Sequence, residues 1–158
     1  MRIAGFIKNS TANGKGIRFV LFTQGCIHEC DGCHNEHTWD INGGYDLEID
    51  YILDLVKHEI PIIKGVTISG GEPFIQPDAL LALVKGIKDE LKLEVAIYTG
   101  YKKEELECLG NESVNEVLNL ADVIIDGKFE KDNTEGALRY TGSANQRIHY
   151  KEKDSIWG

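Results

Sequence analysis

Proline is scarce in this chain, with three residues in 158. That leaves no room for a proline-rich linker, and no internal repeat or low-complexity tract takes its place. No apolar run approaches the ~20 residues that a membrane span requires. The opening residues Met1-Arg2-Ile3-Ala4-Gly5-Phe6-Ile7 meet Lys8 at once, before the apolar stretch of a signal peptide can form. The expectation is a cytoplasmic protein with no membrane partner. Positive charge is also short, 17 Lys and Arg against 26 Asp and Glu, for a formal net charge of −9. Such a surface repels phosphate backbones, so nucleic acid is not an expected partner. Cysteine is limited to four residues. In a reducing compartment these read as ligands or core residues rather than disulfides.

The residues that are present describe a globular chain, 42% hydrophobic and 27% charged, of a length that suits one domain over 1–158. Ile17-Arg18-Phe19-Val20-Leu21-Phe22 reads as a buried strand. Ile49, Ile52, Leu53, Val56 and Ile60 mark one face of a helix that Pro61 stops. Val66-Thr67-Ile68 is a second strand, and Pro77-Asp78 opens a helix with the stripe Leu80, Leu83, Val84, Ile87 and Leu91. Val95-Ala96-Ile97-Tyr98 is a third strand. Val114, Val117, Leu118 and Ala121 give another helical stripe, and Val123-Ile124-Ile125 a fourth strand. This alternation predicts an α/β fold with a mostly parallel sheet joined by right-handed crossovers. In such sheets the ligand site lies beyond the carboxyl ends of the strands. Those ends are Thr23 to Cys26, Ser69 to Pro73, Thr99-Gly100 and Asp126-Gly127, where the unusual residue types collect.

Cys26, Cys30 and Cys33 place three thiols within eight residues on a polar, aperiodic loop that runs to Gly44. Such a loop can wrap a metal centre. One candidate is zinc, with His28, His34 or His37 as fourth ligand. Another is an iron–sulfur cluster on three thiolates, and the third alternative is unligated cysteine. Buried free thiols usually sit among apolar neighbours, whereas these stand beside His, Glu, Asp and Asn. Zinc usually draws its ligands as two pairs, and Cys108 stands alone, so the spacing favours iron–sulfur. Three thiolates on a four-iron cubane leave one iron open to a substrate. Ser69-Gly70-Gly71-Glu72-Pro73 follows a strand directly. Its glycines allow close backbone approach, Glu72 offers a carboxylate, and Pro73 sets the exit angle.

The Cys-x3-Cys-x2-Cys loop and the Gly-Gly-Glu-Pro turn together resemble the radical S-adenosylmethionine superfamily. The resemblance implies a partial, incomplete (β/α) barrel. It implies a 4Fe–4S cluster on Cys26, Cys30 and Cys33 and S-adenosylmethionine chelated at the open iron. Reductive cleavage would then yield methionine and a 5′-deoxyadenosyl radical. In that superfamily the Gly-Gly-Glu-Pro segment bonds the cofactor's ammonium group. The superfamily often carries an aromatic residue before the third cysteine, beside the adenine. Gly32 stands there, so the contact is expected from the backbone of Gly32 to His34. The cofactor set implied is Gly32, Cys33, His34, Gly70, Gly71, Glu72, Pro73 and Asp126. No side chain is expected to be catalytic, because cluster and cofactor carry the chemistry.

Gly-Cys-His-Asn followed by Thr-Trp-Asp narrows the likeness to the anaerobic ribonucleoside-triphosphate reductase activating proteins. The match continues through Tyr98-Thr99-Gly100-Tyr101, Ile125 to Phe129 and Gly142 to Ile148, and so covers nearly the whole chain. In the last segment Ala144 replaces a usual serine. What this resemblance implies is a glycyl radical placed on the large catalytic subunit of the reductase. The electron would come from a low-potential donor such as flavodoxin, and a homodimer is left open. The cluster is expected in an open cleft that admits a protein segment. Rivals are a small-molecule enzyme of the same superfamily, such as a deazaguanine-forming synthase, and a zinc-stabilised binding module. His28, Lys128 and Arg147 are expected at the surface and Cys108 in the core. Asp126 reads equally as a turn residue, and Trp157 as a packed tail or a docking contact.

Overall fold

The computed structural model describes residues 1–152 and Trp157. Its centre is the apolar run read from the sequence. Phe19, Val20 and Leu21 are fully buried in the strand Arg18–Thr23, which is β2, because β1 (Arg2–Ser10) precedes it. Next come β3 (Tyr45–Asp46), α1 (Ile49–Lys57), β4 (Gly65–Gly70) and α2 (Pro77–Lys85). They are followed by β5 (Glu94–Tyr98), α3 (Lys103–Glu107), α4 (Glu112–Leu120), β6 (Val123–Asp126) and β7 (Arg147–Tyr150). The strands form one sheet in the order β3-β1-β2-β4-β5-β6-β7. The run β2-β4-β5-β6 is parallel, as expected, while β1, β3 and β7 pair antiparallel. The fold is therefore α/β with a mixed, unclosed sheet that is parallel in its core.

The pleat sends alternate side chains to opposite faces. Phe19, Leu21, Val66, Ile68, Val95, Ile97 and Ile124 join Ile52, Leu53 and Val56 of α1, Leu80, Leu83 and Val84 of α2, and Val114 and Val117 of α4. Pro77 opens α2 where a missing N–H costs nothing. Asn111 caps α4 by accepting from the Val114 N–H at 3.1 Å. The other face buries Ala96, Val123 and Ile125 with Trp157. Trp157 is a packed tail residue. Its ring centre lies 5.2 Å from the guanidinium carbon of Arg18, and its indole N–H faces Glu94 Oε1 at 3.4 Å. Arg18 and Glu94 share a register at the amino ends of their strands, so Trp157 closes the end of the sheet opposite the cysteines.

Several expectations are corrected. β1 and β7 were not foreseen, since only Ile3 of β1 is fully buried and β7 is a half-exposed edge. α1 ends at Lys57, short of Ile60, which is exposed. α2 loosens into a π-helical turn over Gly86–Glu90, where Gly86 packs on the Leu53 side chain. Cys108 follows the unforeseen α3 and is exposed, not in the core. Among the described residues no helix is long and apolar enough to cross a membrane.

Candidate metal centre

The parallel strands end side by side at Thr23, Gly70, Tyr98 and Asp126. A cavity of about 370 Å³ opens over them. Its wall includes Cys26, Cys30, Cys33 and His34 from the cysteine loop and Gly70 and Gly71 from the turn after β4. Gly32, Glu72, Pro73 and Asp126 lie outside that wall.

The loop is shaped by its backbone. The Gly25 N–H donates to Thr38 O at 2.6 Å, and the Cys26 N–H to Trp39 O at 3.2 Å. Positive φ at Gly25, Glu29 and Gly32 then winds the chain back so that the Cys33 N–H donates to Cys30 O at 3.0 Å. All three thiols are free and half-buried. Burial pushes the Cys26 thiol up from its ordinary range, with backbone N–H groups of His28 and Glu29 opposing and Glu72 and Cys30 reinforcing. The Asn35 N–H donates to Cys33 Sγ at 3.4 Å. The Trp39 indole N–H, in the same wall, is buried with no acceptor. Three thiols around one cavity, with one N–H to sulfur and one left over, suit a cluster of iron and sulfide, whose metal would itself deprotonate the thiols. A lone zinc ion would need its ligands gathered about one point. Among the described residues no three His, Cys, Asp or Glu side chains gather in that way.

The two glycines of the turn serve backbone packing. A Cβ at Gly70 would overlap Thr23 N, and one at Gly71 would overlap Gly25 O. Pro73, buried, begins a single helical turn over Pro73–Ile75. Glu72 is wholly buried and meets protein donors rather than the cavity. His28, expected at the surface, has a side chain only 5% exposed and sits 2.7 Å from Glu72 Oε2. Asp126 faces a neighbouring polar pocket. It accepts from Arg147 at 2.6 Å, from the Lys103 N–H at 2.8 Å and from His149 at 3.0 Å. Burial alone would raise its pKa, but these donors hold it below the usual carboxylate range. Arg147 is thus paired, not a lone surface cation. It also bonds Glu104, whose pKa that contact lowers to about 2.

Thr99, Trp39, Phe129 and Gln146 stand in segments that carry the resemblance, but the sequence assigns none of them a role. Gln146 Nε2 donates to Gly127 O at 3.0 Å and its Oε1 accepts from the Gly142 and Ser143 N–H groups. The Asn145 amide donates to Lys128 O at 2.7 Å. This stapling holds the chain after β6 at the cavity and sets the Phe129 ring 5.3 Å from that of His34. Ala144 is exposed, so the serine it replaces would meet solvent.

The model of the family described as "4Fe-4S single cluster domain" matches residues 12–149, a span that holds all three loop cysteines. A protein of Salmonella typhi is 38% identical over 158 residues, covering 95% of this chain and 99% of its own. One of Escherichia coli strain K12 is 38% identical over 146 residues, 87% of this chain and 91% of its own. One of Enterobacteria phage T4 is 36% identical over 149 residues, 92% and 90% respectively. Each is named anaerobic ribonucleoside-triphosphate reductase-activating protein. This chain belongs to that family.

The match to the activating-protein family extends over most of the chain, 95% of it for the Salmonella typhi relative. Among solved structures, QueE from Escherichia coli superposes with a TM-score of 0.54 at 16% identity, over 82% of this chain and 72% of that one. At that identity the likeness is one of fold. It agrees with the unclosed α/β sheet described above.

Proposed function

We propose that this chain is a radical activase that cleaves S-adenosylmethionine at a 4Fe–4S cluster and places a glycyl radical on the large subunit of an anaerobic ribonucleoside-triphosphate reductase. The observation that carries the reading is the meeting of Cys26, Cys30 and Cys33 in one cavity wall with Gly70 and Gly71, at the carboxyl ends of the parallel strands. When bound, the cluster supplies one low-potential electron to the sulfonium, whose C–S bond breaks to methionine and a carbon-centred 5′-deoxyadenosyl radical.

The chain's own residues bind, orient and shield. Cys26, Cys30 and Cys33 would hold the cluster through three thiolates, with one iron left for the cofactor. The turn at Gly70 and Gly71 brings bare backbone to the cavity, and Cys33 and His34 would meet the adenosine side, with Gly32 behind the wall. Phe22, Tyr98 and Phe129 line the same space and keep water from a reactive radical. Glu72, Pro73 and Asp126 act from behind the wall by fixing the turns that form it. The unclosed sheet suits a partner that must insert a glycine-bearing segment. A low-potential reductant of the flavodoxin kind would supply the electron.

The test is anaerobic reconstitution with iron and sulfide, then reduction with S-adenosylmethionine present, following 5′-deoxyadenosine by chromatography. Adding the reductase large subunit and recording its electron paramagnetic resonance spectrum checks for the glycyl radical. Product and radical that vanish in a Cys30→Ala variant support the reading. A chain that binds zinc, takes up no cluster and forms no product ends it.

A further inference from the structure

Three loops that leave three different strands meet on one buried carboxylate. Glu72 follows β4 and is wholly buried. Its Oε1 accepts from the Phe74 N–H at 3.1 Å and from the Thr99 hydroxyl at 2.8 Å. Its Oε2 accepts from the Gly100 N–H at 2.8 Å and from His28 Nε2 at 2.7 Å. Thr99 and Gly100 follow β5, and His28 lies in the arc between Cys26 and Cys30. A carboxylate offers about four lone-pair sites, and here the protein itself provides four donors. The fit around His28 is tight. A Cβ at Gly100 would overlap the imidazole, and the Tyr101 ring stands edge-on with its centre 4.7 Å away.

The arc has little else to hold it. Residues 27–30 donate no N–H to a backbone carbonyl among the described residues. Ile27 is exposed, and the ion pair of Asp31 with Lys131 is solvated and weak. The hydrogen bond from His28 to Glu72 is therefore the tie between this arc and the sheet. Glu72 is rigid by comparison, because the β4 turn and the β5 loop both bond it and burial leaves no water to compete.

We infer that His28 is a positioning residue: through Glu72 it fixes the arc from Cys26 to Cys30 against the β4 and β5 loops, so that the thiols stand as a set before any cluster arrives. The inference rests on the activase reading for what the thiols hold, but the contact belongs to the chain without its cluster. It also gives the glutamate of the Gly-Gly-Glu-Pro turn a task inside the protein, distinct from touching a cofactor.

The test compares the full parent chain with His28→Leu, which keeps bulk and loses the donor, and His28→Gln, whose amide N–H reaches about as far as Nε2. In the apo chain, exchange of the Cys26 and Cys33 amides, which donate to Trp39 O and Cys30 O, is expected to be about tenfold faster in the Leu variant and near parental in the Gln variant, with β4 and β5 unchanged. After anaerobic reconstitution, release of iron to a chelator is expected to follow the same order. Recovery by Gln of both quantities is what a bulk packing role would not produce. Should the Leu variant also lose protection in the strands, His28→Asn, polar but too short to reach Glu72, supplies the comparison. Exchange of the Cys26 and Cys33 amides that stays parental in the donor-less variant overturns the inference. A parent chain that takes up no cluster would instead sink the activase reading, and the apo exchange would still decide the role of His28.

Discussion

The N–H of Glu72 donates to the carbonyl of Gly25 at 2.8 Å, joining the turn after β4 to the first residue of the cysteine loop. One residue earlier, the Gly71 N–H bonds Thr23 O at 2.9 Å, so the turn and the end of β2 lie backbone against backbone. That approach leaves no volume for a side chain at Gly71, where a Cβ would overlap the same Gly25 carbonyl. Gly71→Ala is therefore expected to cost about 2–4 kcal/mol and to lower cluster retention, since the loop must move to admit the methyl group. Chemical denaturation of the apo chain and iron content after gel filtration check both effects.

The four cysteines separate cleanly in expected behaviour. Cys26, Cys30 and Cys33 share a cavity wall, whereas Cys108 is exposed at the end of α3. Alanine at any of the first three should reduce iron well below the about four atoms per chain that one 4Fe–4S cluster requires. Cys108→Ser should leave iron content and visible absorbance at parental values. Iron analysis on the four variants is sufficient.

Arg147 supports a wholly buried Asp126. Because the Asp126 carboxyl titrates below its ordinary range when folded, its contribution is complete above about pH 4 and fades as pH falls through the folded value. In Arg147→Gln, burial is opposed only by the Lys103 N–H and His149, so the folded pKa rises. The acid limb of unfolding is expected to begin at higher pH, with a loss of about 2 kcal/mol at neutral pH. Circular dichroism against pH reads the first effect and urea denaturation the second.

Trp157 is 6% exposed and packs on Arg18, Tyr140 and Tyr150 at the amino ends of the strands. Trp157→Ala should cost about 3 kcal/mol by leaving a cavity and uncovering a buried guanidinium. Cluster loading, at the opposite end of the sheet, should be unchanged below the new unfolding temperature. Thermal unfolding and iron content taken together test this separation.

Much of the parallel core could be read along the chain. The runs at Phe19 to Phe22, Val66 to Ile68, Val95 to Tyr98 and Val123 to Ile125 are apolar because both faces of a central strand are covered. The stripes of α1, α2 and α4 are periodic because one helical side meets the sheet. The cysteine loop and the glycine turn were equally legible, since their chemistry is confined to a few adjacent residues. β1 and β7 were not, because an edge or half-covered strand carries no continuous apolar run. The ladder bonds that define it come from a partner distant in sequence.

The same reasoning separates the residues of the site. The closeness of Cys26, Cys30 and Cys33 is a matter of local spacing, and so it stands in the order of the amino acids. Whether a polar residue faces the cavity depends on which loops meet, and no local pattern contains that. His28 is buried because Glu72, 44 positions away, lies under the loop, and Asp126 leaves the cavity wall because Arg147 and His149 arrive on an unforeseen strand. Burial and hydrogen-bond partners are long-range properties of the packed chain. They come into being only when β2, β4, β5 and β6 align and bring their loops to one end.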